Sequence, residues 1–369
     1  GTRADYPRIK SVLKRIKNSK KLKLYLLVTG AHLLKKYGNS IEEIKKDGFK
    51  IDAKVKMYKK EYNTPHGMLK SFSHCTSGIA DALKKMKPDL VLLTVDRVET
   101  LAAATACSLM NFPIAHVQGG ELTGTIDESI RHAITKLSQI HFPSNKDAAN
   151  RIIKMGENPK MVYEVGCPYI DLIKSIKLIS KKILSKKYKF NPNKKIIIFT
   201  QHPVTTEYGK SIYQIKISIN ALKQFSECEI IAFYSNTDSG GKEIIKYIKS
   251  QKNFKIIPNM LSIDFLSLMS CADLMIGNSS AAIREAPSFN LRAINIGSRQ
   301  QGRLRAKNII DVNHNEKEIV AAITRGLKSK NKLYNIKNPY GNGDSSKKIV
   351  DILEKIRLNQ ISIQKEMTY

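Results

Sequence analysis

A chain of 369 residues is longer than one hydrophobic core organises, so two domains are expected, and a net charge of +31 raises the question of a polyanionic partner. The lysines are dispersed, in runs such as KKLKL beside apolar segments, without a sustained interleaving of aromatics that would stack bases; this favours a solvated surface, compatible with a phosphorylated small substrate, over a dedicated nucleic-acid face. Five scattered cysteines with no C-x-x-C pair exclude a disulfide framework and a zinc ribbon, and no apolar run approaches the roughly 20 residues of a membrane span, so no membrane partner and a reducing, cytoplasmic setting are expected.

The first ten residues, GTRADYPRIK, form a glycine-led polar turn feeding a helix. In an α/β domain such a turn follows a strand, so the numbering is expected to begin just inside a first βα unit whose strand is missing. β-branched and apolar runs then predict strands at LKLYLLVTG (22–30), PDLVLLTV (88–95), FPIAHV (112–117), IHFPS (140–144) and MVYEVG (161–166). A lysine-rich helical stretch from Cys167 to Lys195 marks a domain junction. Strands recur at KKIIIFTQ (194–201), CEIIAFYS (228–235), FKIIPN (254–259), DLMIGN (273–278), RAINIG (292–297) and NIIDV (308–312), each separated by helical sequence. The alternation predicts an α/β fold of two doubly wound domains: residues 1–170, residues 171–345, and a C-terminal segment 346–369.

Ligands of open parallel sheets bind outside the carboxyl ends of the strands, so polar residues placed there are the candidates. They are Thr2, Arg3 and Asp5; Thr29, Gly30 and His32; Asp96 and Arg97; Gln118, Gly119, Gly120 and Glu121; His202 and Thr205; Asn236 and Asp238; Ser279, Ser280 and Glu285; and Arg299. Plainer roles compete with several. Asp96-Arg97 also suits a helix entry, His32 a surface position, and Ser279 an ordinary N-cap. GNSSAAIREAP (277–287) opens a helix on small residues, as a phosphate cradle does. In GGELTGTIDESIRH (119–132), Thr125 and Glu128 fit a capping box, and Asp127–Arg131 and Glu128–His132 fit i,i+4 pairs. Capping accounts for Glu128 and leaves Glu121 and Asp127 unemployed.

These segments, with TGAHLLKKYGNS, DRVETLAAATACSLMN, VGCPYIDL, QHPVTTE, NIGSRQQGR and PYGNGDSS, resemble the hydrolysing UDP-N-acetylglucosamine 2-epimerases of sialic acid biosynthesis, in order from the first residue to about Ser346. The resemblance implies a GT-B architecture of two Rossmann-like domains with a cleft between them: the first, residues 1–170, on the sugar side, the second, residues 171–345, binding UDP, and the C-terminal helix returning to the first. It implies hydrolysis of UDP-N-acetylglucosamine to UDP and N-acetylmannosamine through 2-acetamidoglucal, with no metal or cofactor required, in a homodimer. By motif position, Asp96, Glu121 and Asp127 are the acid/base carboxylates. Arg3, His32, Arg97, His116, Arg131 and His202 surround substrate, and Ser279, Ser280, Glu285 and Arg299 hold UDP. A paralogue acting on a 2,4-diacetamido sugar nucleotide and a nonhydrolysing epimerase are the alternatives. Val95 stands where the family usually has glycine before Asp-Arg, and Ala281-Ala282 where a glycine often follows GNSS.

Overall fold

The computed structural model describes residues 1, 5–34, 40–58, 65–123, 126–207, 209–236, 240–328 and 335–368. Thr2, Arg3, Thr125 and Asp238, and the side chain of Thr205, lie outside the described residues. The chain divides into two compact units, one of residues 1–121, 127–174 and 340–369, the other of residues 122–126 and 175–339.

The first unit runs α1 (Tyr6–Asn18), β1 (Leu27–Thr29), α2 (Ser40–Lys46), β2 (Ala53–Val55), α3 (Pro65–Met86), β3 (Val91–Thr94), α4 (Val98–Leu109), β4 (Ile114–Val117), α5 (Asp127–Leu137), β5 (Ile140–Phe142), α6 (Lys146–Lys154) and α7 (Pro168–Ser175). Every paired strand is parallel, which requires a crossover between neighbours, and the helices supply it. β4 has apolar side chains on both faces, as a strand covered on both sides must, while β5 turns Ile140 and Phe142 to one face and the buried His141 to the other. One face packs Leu93 and Ile114 against Ala102, Ala106 and Ile134 of α4 and α5; the other packs Ala115, Val117 and Phe142 against Val12 and Ile349.

Two strand expectations shift. Residues 22–26 pair with no ladder among the described residues, and only Leu27–Thr29 form β1, beside β2, a strand with no counterpart among the predicted runs. The segment 161–166 is extended beside β5, with Tyr163 N donating to His141 O at 2.9 Å and Val165 N to Pro143 O at 3.1 Å, but it makes one isolated bridge and no ladder.

The strands of this unit fall into two separate ladders, β1–β2 and β3–β4–β5. Between β1 and β3 lies a cavity of about 570 Å³, lined by Leu24, Leu26 and Val28 on the first side and by Leu90, Leu92 and Thr94 on the second. The two facing strand edges have no ladder partner among the described residues.

In the second unit, α8 (Lys181–Tyr188) is followed by β6 (Ile196–Thr200), α9 (Ser211–Lys223), β7 (Glu229–Phe233), α10 (Gly241–Lys249), β8 (Lys255–Ile257), α11 (Ser262–Cys271), β9 (Leu274–Gly277), α12 (Ser280–Arg284), β10 (Ala293–Ile296), β11 (Ile309–Val312) and α13 (Glu316–Lys328). The expected strands of this half are all present. They form one parallel six-stranded sheet of order β11-β10-β9-β6-β7-β8, the doubly wound arrangement in which strand order reverses between β6 and β9. Ile197 and Phe199 of β6 are fully buried against Ile215 and Ile219 of α9 and Ile323 of α13. The chain then returns to the first unit as α14 (Ser345–Leu353), where Ile349 packs on the sheet and Asp171 accepts from the Ser345 and Ser346 amides at 3.0 and 2.6 Å.

An apolar strand of about five residues joined ahead of Gly1 should enter the gap between β1 and β3, satisfying two rows of backbone groups and burying its side chains. The expected result is a higher melting temperature and slower amide exchange at residues 26–29 and 90–94. An unchanged melting temperature would mean that these edges do not accept a strand.

Candidate active site

The site of the first unit is built on strand ends that turn through the left-handed region. Val95 follows β3 with φ +61°, and Gln118 follows β4 with φ +68°. For a β-branched residue this conformation costs roughly 1–2 kcal/mol, and it persists where surrounding contacts over-determine it. Here they do: the Val95 amide donates to Val117 O at 3.2 Å, and its carbonyl accepts from His116 Nε2 at 2.9 Å. The backbone a glycine would adopt freely is thus kept by valine, and it swings Asp96 off the strand line.

Asp96 is met by Arg131, four residues into α5, whose Nε donates to Asp96 Oδ2 at 2.8 Å and whose Nη2 reaches the same oxygen. Nη1 of the same guanidinium donates to the Glu121 carbonyl. Arg131 is 1% exposed, so its charge is stabilised by Asp96, and losing either partner would strand the other. Glu121 is buried, and its carboxylate accepts from Ser144 Oγ at 2.5 Å, just beyond β5. The preceding carbonyl, of Gly120, accepts from Arg151 Nη1 at 2.5 Å.

Asp127 is the first residue of α5 and half-buried, one turn before Arg131. The expected Glu128–His132 pair is present at 3.7 Å. Arg97 takes the N-cap position of α4, its carbonyl accepting from the Thr100 and Leu101 amides, which is the plainer role weighed for it. His32 lies buried in the turn after β1, edge-on to Tyr6 at 6.4 Å between ring centroids.

His116 has no exposed surface. Because Nε2 faces a carbonyl it carries the proton, and burial pushes the imidazole down to about 4 against the opposing pull of the Val95 carbonyl. Gly119 is required beside it: a Cβ there would lie 2.9 Å from His116 Nδ1 and 3.0 Å from Thr135 Oγ1. Its contacts make His116 a support for the Val95–Asp96 turn.

In the second unit the polar residues gather where strand order reverses. Asn278, directly after β9, accepts from the His202 amide at 2.7 Å and donates to the His202 carbonyl at 2.8 Å, clamping the ends of β6 and β9. Its own carbonyl accepts from Arg299 Nη1 at 3.2 Å and Gln300 Nε2 at 2.9 Å. His202 Nδ1 accepts the Asn236 amide at 3.0 Å, so the proton sits on Nε2; enclosure by protein, with Arg299 adding to it, pushes the imidazole down to about 3. His202 is therefore a neutral donor.

Ser279 is the N-cap of α12, accepting from Ala281 N at 3.3 Å, and Ser280 is its first residue. Glu285 is buried at the other end of that helix. Glu207 ties the loop after β6 to the loop after β10, accepting from Ser298 Oγ and, at 2.6 Å, from Gln214 Nε2.

Thus Asp96, Glu121 and Arg131 are brought together with His116 behind them, and His202, Ser279 and Arg299 gather around Asn278. Three contributors were not singled out from sequence. Asn278 stands inside the GNSS motif, Ser144 is the last residue of the predicted strand IHFPS, and Glu207 closes QHPVTTE.

Residues 14–354 match the family model described as UDP-N-acetylglucosamine 2-epimerase. The chain is 36% identical over 373 residues to the UDP-N,N'-diacetylbacillosamine 2-epimerase (hydrolyzing) of Legionella pneumophila, covering 100% of this chain and 98% of that one. It is 35% identical to the UDP-N-acetylglucosamine 2-epimerase of Neisseria meningitidis serogroup B, over 88% of this chain and 85% of the relative. The structure is similar to the crystal structure of UDP-GlcNAc 2-epimerase from Neisseria meningitidis bound to UDP-GlcNAc, with a TM-score of 0.84 at 23% identity, over 96% of this chain and 98% of that one; this places the fold in the GT-B class.

The neutral state of His116 sets a pH dependence. Unfolded, it takes up a proton as pH falls through 6.5; folded, it resists until about 4, so stability declines as pH drops through that window and is unaffected by this group above it. Between pH 7 and pH 5 this group's share of the loss should be on the order of 2 kcal/mol, read in urea titrations as a loss smaller by that amount in His116→Gln. A midpoint constant from pH 7 to pH 5 would contradict it. Val95→Gly should be nearly neutral in the same assay, since relief of about 1–2 kcal/mol of backbone strain offsets part of the roughly 1.5–3 kcal/mol lost with the isopropyl group.

Proposed function

Since the chain belongs to the UDP-N-acetylglucosamine 2-epimerase family, we propose that it is a hydrolysing 2-epimerase whose substrate is a UDP-linked 2-acetamido sugar, with UDP-N,N'-diacetylbacillosamine foremost. The observation that carries the chemistry is the Asp96–Arg131–Glu121 assembly, two carboxylate residues set by one buried guanidinium. Full-length likeness to the Legionella pneumophila enzyme favours the diacetamido sugar. The Neisseria meningitidis relative, at 35% identity, favours UDP-N-acetylglucosamine as the second reading, which would yield N-acetylmannosamine for a sialic acid route.

In the first step a carboxylate takes the C2 proton, the C1–O bond to UDP breaks with its electron pair leaving on the diphosphate, and a C1=C2 double bond forms. In the second, water adds its hydroxyl to C1 while a proton reaches C2 from the opposite face. One group must act as base first and an acid must serve later, and several carboxylates with different surroundings suit that exchange. Asp96, Glu121 and Asp127 take these roles. Glu121 is buried and fixed by Ser144, whereas Asp96 and Asp127 keep some access to solvent.

For the nucleotide, Arg299 offers charge and bidentate geometry to the diphosphate, and His202 offers a neutral Nε2–H. Ser279, Ser280 and Glu285 take up the rest of UDP; Arg3, His32 and Arg97 are proposed to contact substrate. The protein is proposed to work in the cytoplasm as a homodimer.

Incubated in deuterated water with each UDP sugar, the protein should release UDP and a free 2-epimerised sugar carrying deuterium at C2, fastest for the diacetamido substrate. Accumulation of a UDP-linked epimer would instead make it a nonhydrolysing enzyme. Asp96→Asn, Glu121→Gln and Asp127→Asn should each lower kcat by about 10²–10⁴ while circular dichroism stays unchanged. Glu128→Gln should keep its turnover and cost about 0.3–1 kcal/mol of stability. Equal losses of turnover for Asp127→Asn and Glu128→Gln would refute this division.

A further inference from the structure

Beyond the carboxylates, at the carboxyl end of α5, lies a buried ionic knot made with residues of the C-terminal segment. Glu157, at the end of the loop after α6, is 2% exposed and receives His141 Nε2 of β5 at 3.0 Å, Lys136 of α5 at 2.7 Å and Lys365 at 2.7 Å. Burial opposes its charge, but these three donors outweigh that and bring the carboxyl down to about 2. Lys365 spends its other donors on the Ser138 carbonyl at 2.7 Å and the Thr135 carbonyl at 3.3 Å. Both lie at the carboxyl end of α5, where a helix leaves acceptors unpaired and favours a cation. Around this lysine the tail is pinned further: Gln139 Nε2 donates to Ile363 O at 3.3 Å, and Thr368 bonds Gly156 O through its amide at 3.2 Å and Glu157 O through its hydroxyl at 3.1 Å.

The knot is one helical turn from the site. Thr135, whose carbonyl Lys365 holds, donates its hydroxyl to the Arg131 carbonyl at 3.1 Å, and Arg131 is the residue that grips Asp96 and Glu121. His141, the other partner of Glu157, is three residues before Ser144, which fixes the Glu121 carboxylate. We propose that Lys365 is a positioning residue of the active site: the C-terminal tail locks α5 and β5 to Glu157 and so sets Arg131 and Ser144 behind the two carboxylates. The proposal rests on the catalytic roles given above to Asp96 and Glu121. Lys365 touches no reacting atom. Its effect comes from geometry, and small displacements of catalytic groups are costly in rate.

The test compares the full chain with Lys365→Met, Lys365→Arg and Lys347→Met, the last removing a lysine of the exposed Lys347–Asp351 pair on α14 as a control for charge. Turnover of the diacetamido and N-acetylglucosamine nucleotides and amide exchange along residues 127–142 are measured together. Lys365→Met should lower kcat by up to about 10²-fold with KM little changed, and should speed exchange in the last turn of α5. Lys365→Arg should restore most of both, and Lys347→Met should match the unaltered chain. A chain ending at Gln364 repeats the loss without placing a methionine against Glu157, should that variant fail to fold. Wild-type kcat and exchange in either altered chain would overturn the proposal. If the unaltered chain turns over neither nucleotide, the epimerase reading fails, and the exchange measurement still decides whether the tail holds α5.

Discussion

A buried guanidinium needs a full set of acceptors, and Arg131 finds them in one carboxylate and one carbonyl that come from different strand ends. That requirement organises much of the first unit. Asp96 must leave the line of β3 to meet it, which needs the left-handed turn at Val95; the turn in turn needs His116 beneath it and a glycine at 119 to make room for His116. Glu121 is held at its backbone by Arg131 and at its side chain by Ser144. Few of these contacts are replaceable singly, because each satisfies a group already removed from water.

The second unit joins its strand ends through an amide side chain. Where β6 and β9 part at the reversal of strand order, Asn278 bonds both backbone groups of His202 and offers its own carbonyl to Arg299 and Gln300. An amide has a donor and an acceptor in one plane, so a single side chain can join two strand ends. His202 is then fixed by its main chain and by the Asn236 amide, which settles the tautomer.

Much of this was legible in the sequence because parallel strands buried on both faces write continuous apolar runs, as Ile196–Phe199 and Leu274–Ile276 do. The ends of such runs are visible for the same reason, and so are the polar residues that follow them. What was hidden had physical causes. Lysines alternate with Ala53, Val55 and Met57, so β2 shows the period of a half-buried strand and no apolar run. Residues 22–26 have strand composition but no partner, and composition cannot report pairing. At the candidate site, Asp127, Arg131 and Glu128 lie on one helix and their spacing is readable, whereas Arg131 meeting Asp96 depends on contacts 35 residues apart. The Lys365–Glu157 contact spans 208 residues and leaves no local pattern.

The gap between the two ladders of the first unit has a mechanical consequence. Sheets are stiff along their hydrogen-bonded rows, and no such row joins β1–β2 to β3–β4–β5 among the described residues. The turn bearing His32 follows β1, whereas Asp96 follows β3, so the two turns are related through the packing of Leu27, Val55 and Met57 against Leu93 and Ile114. Packing contacts slide at lower cost than ladders shear. Among the described residues the two halves of this unit are therefore related through side chains, with no ladder hydrogen bond between them.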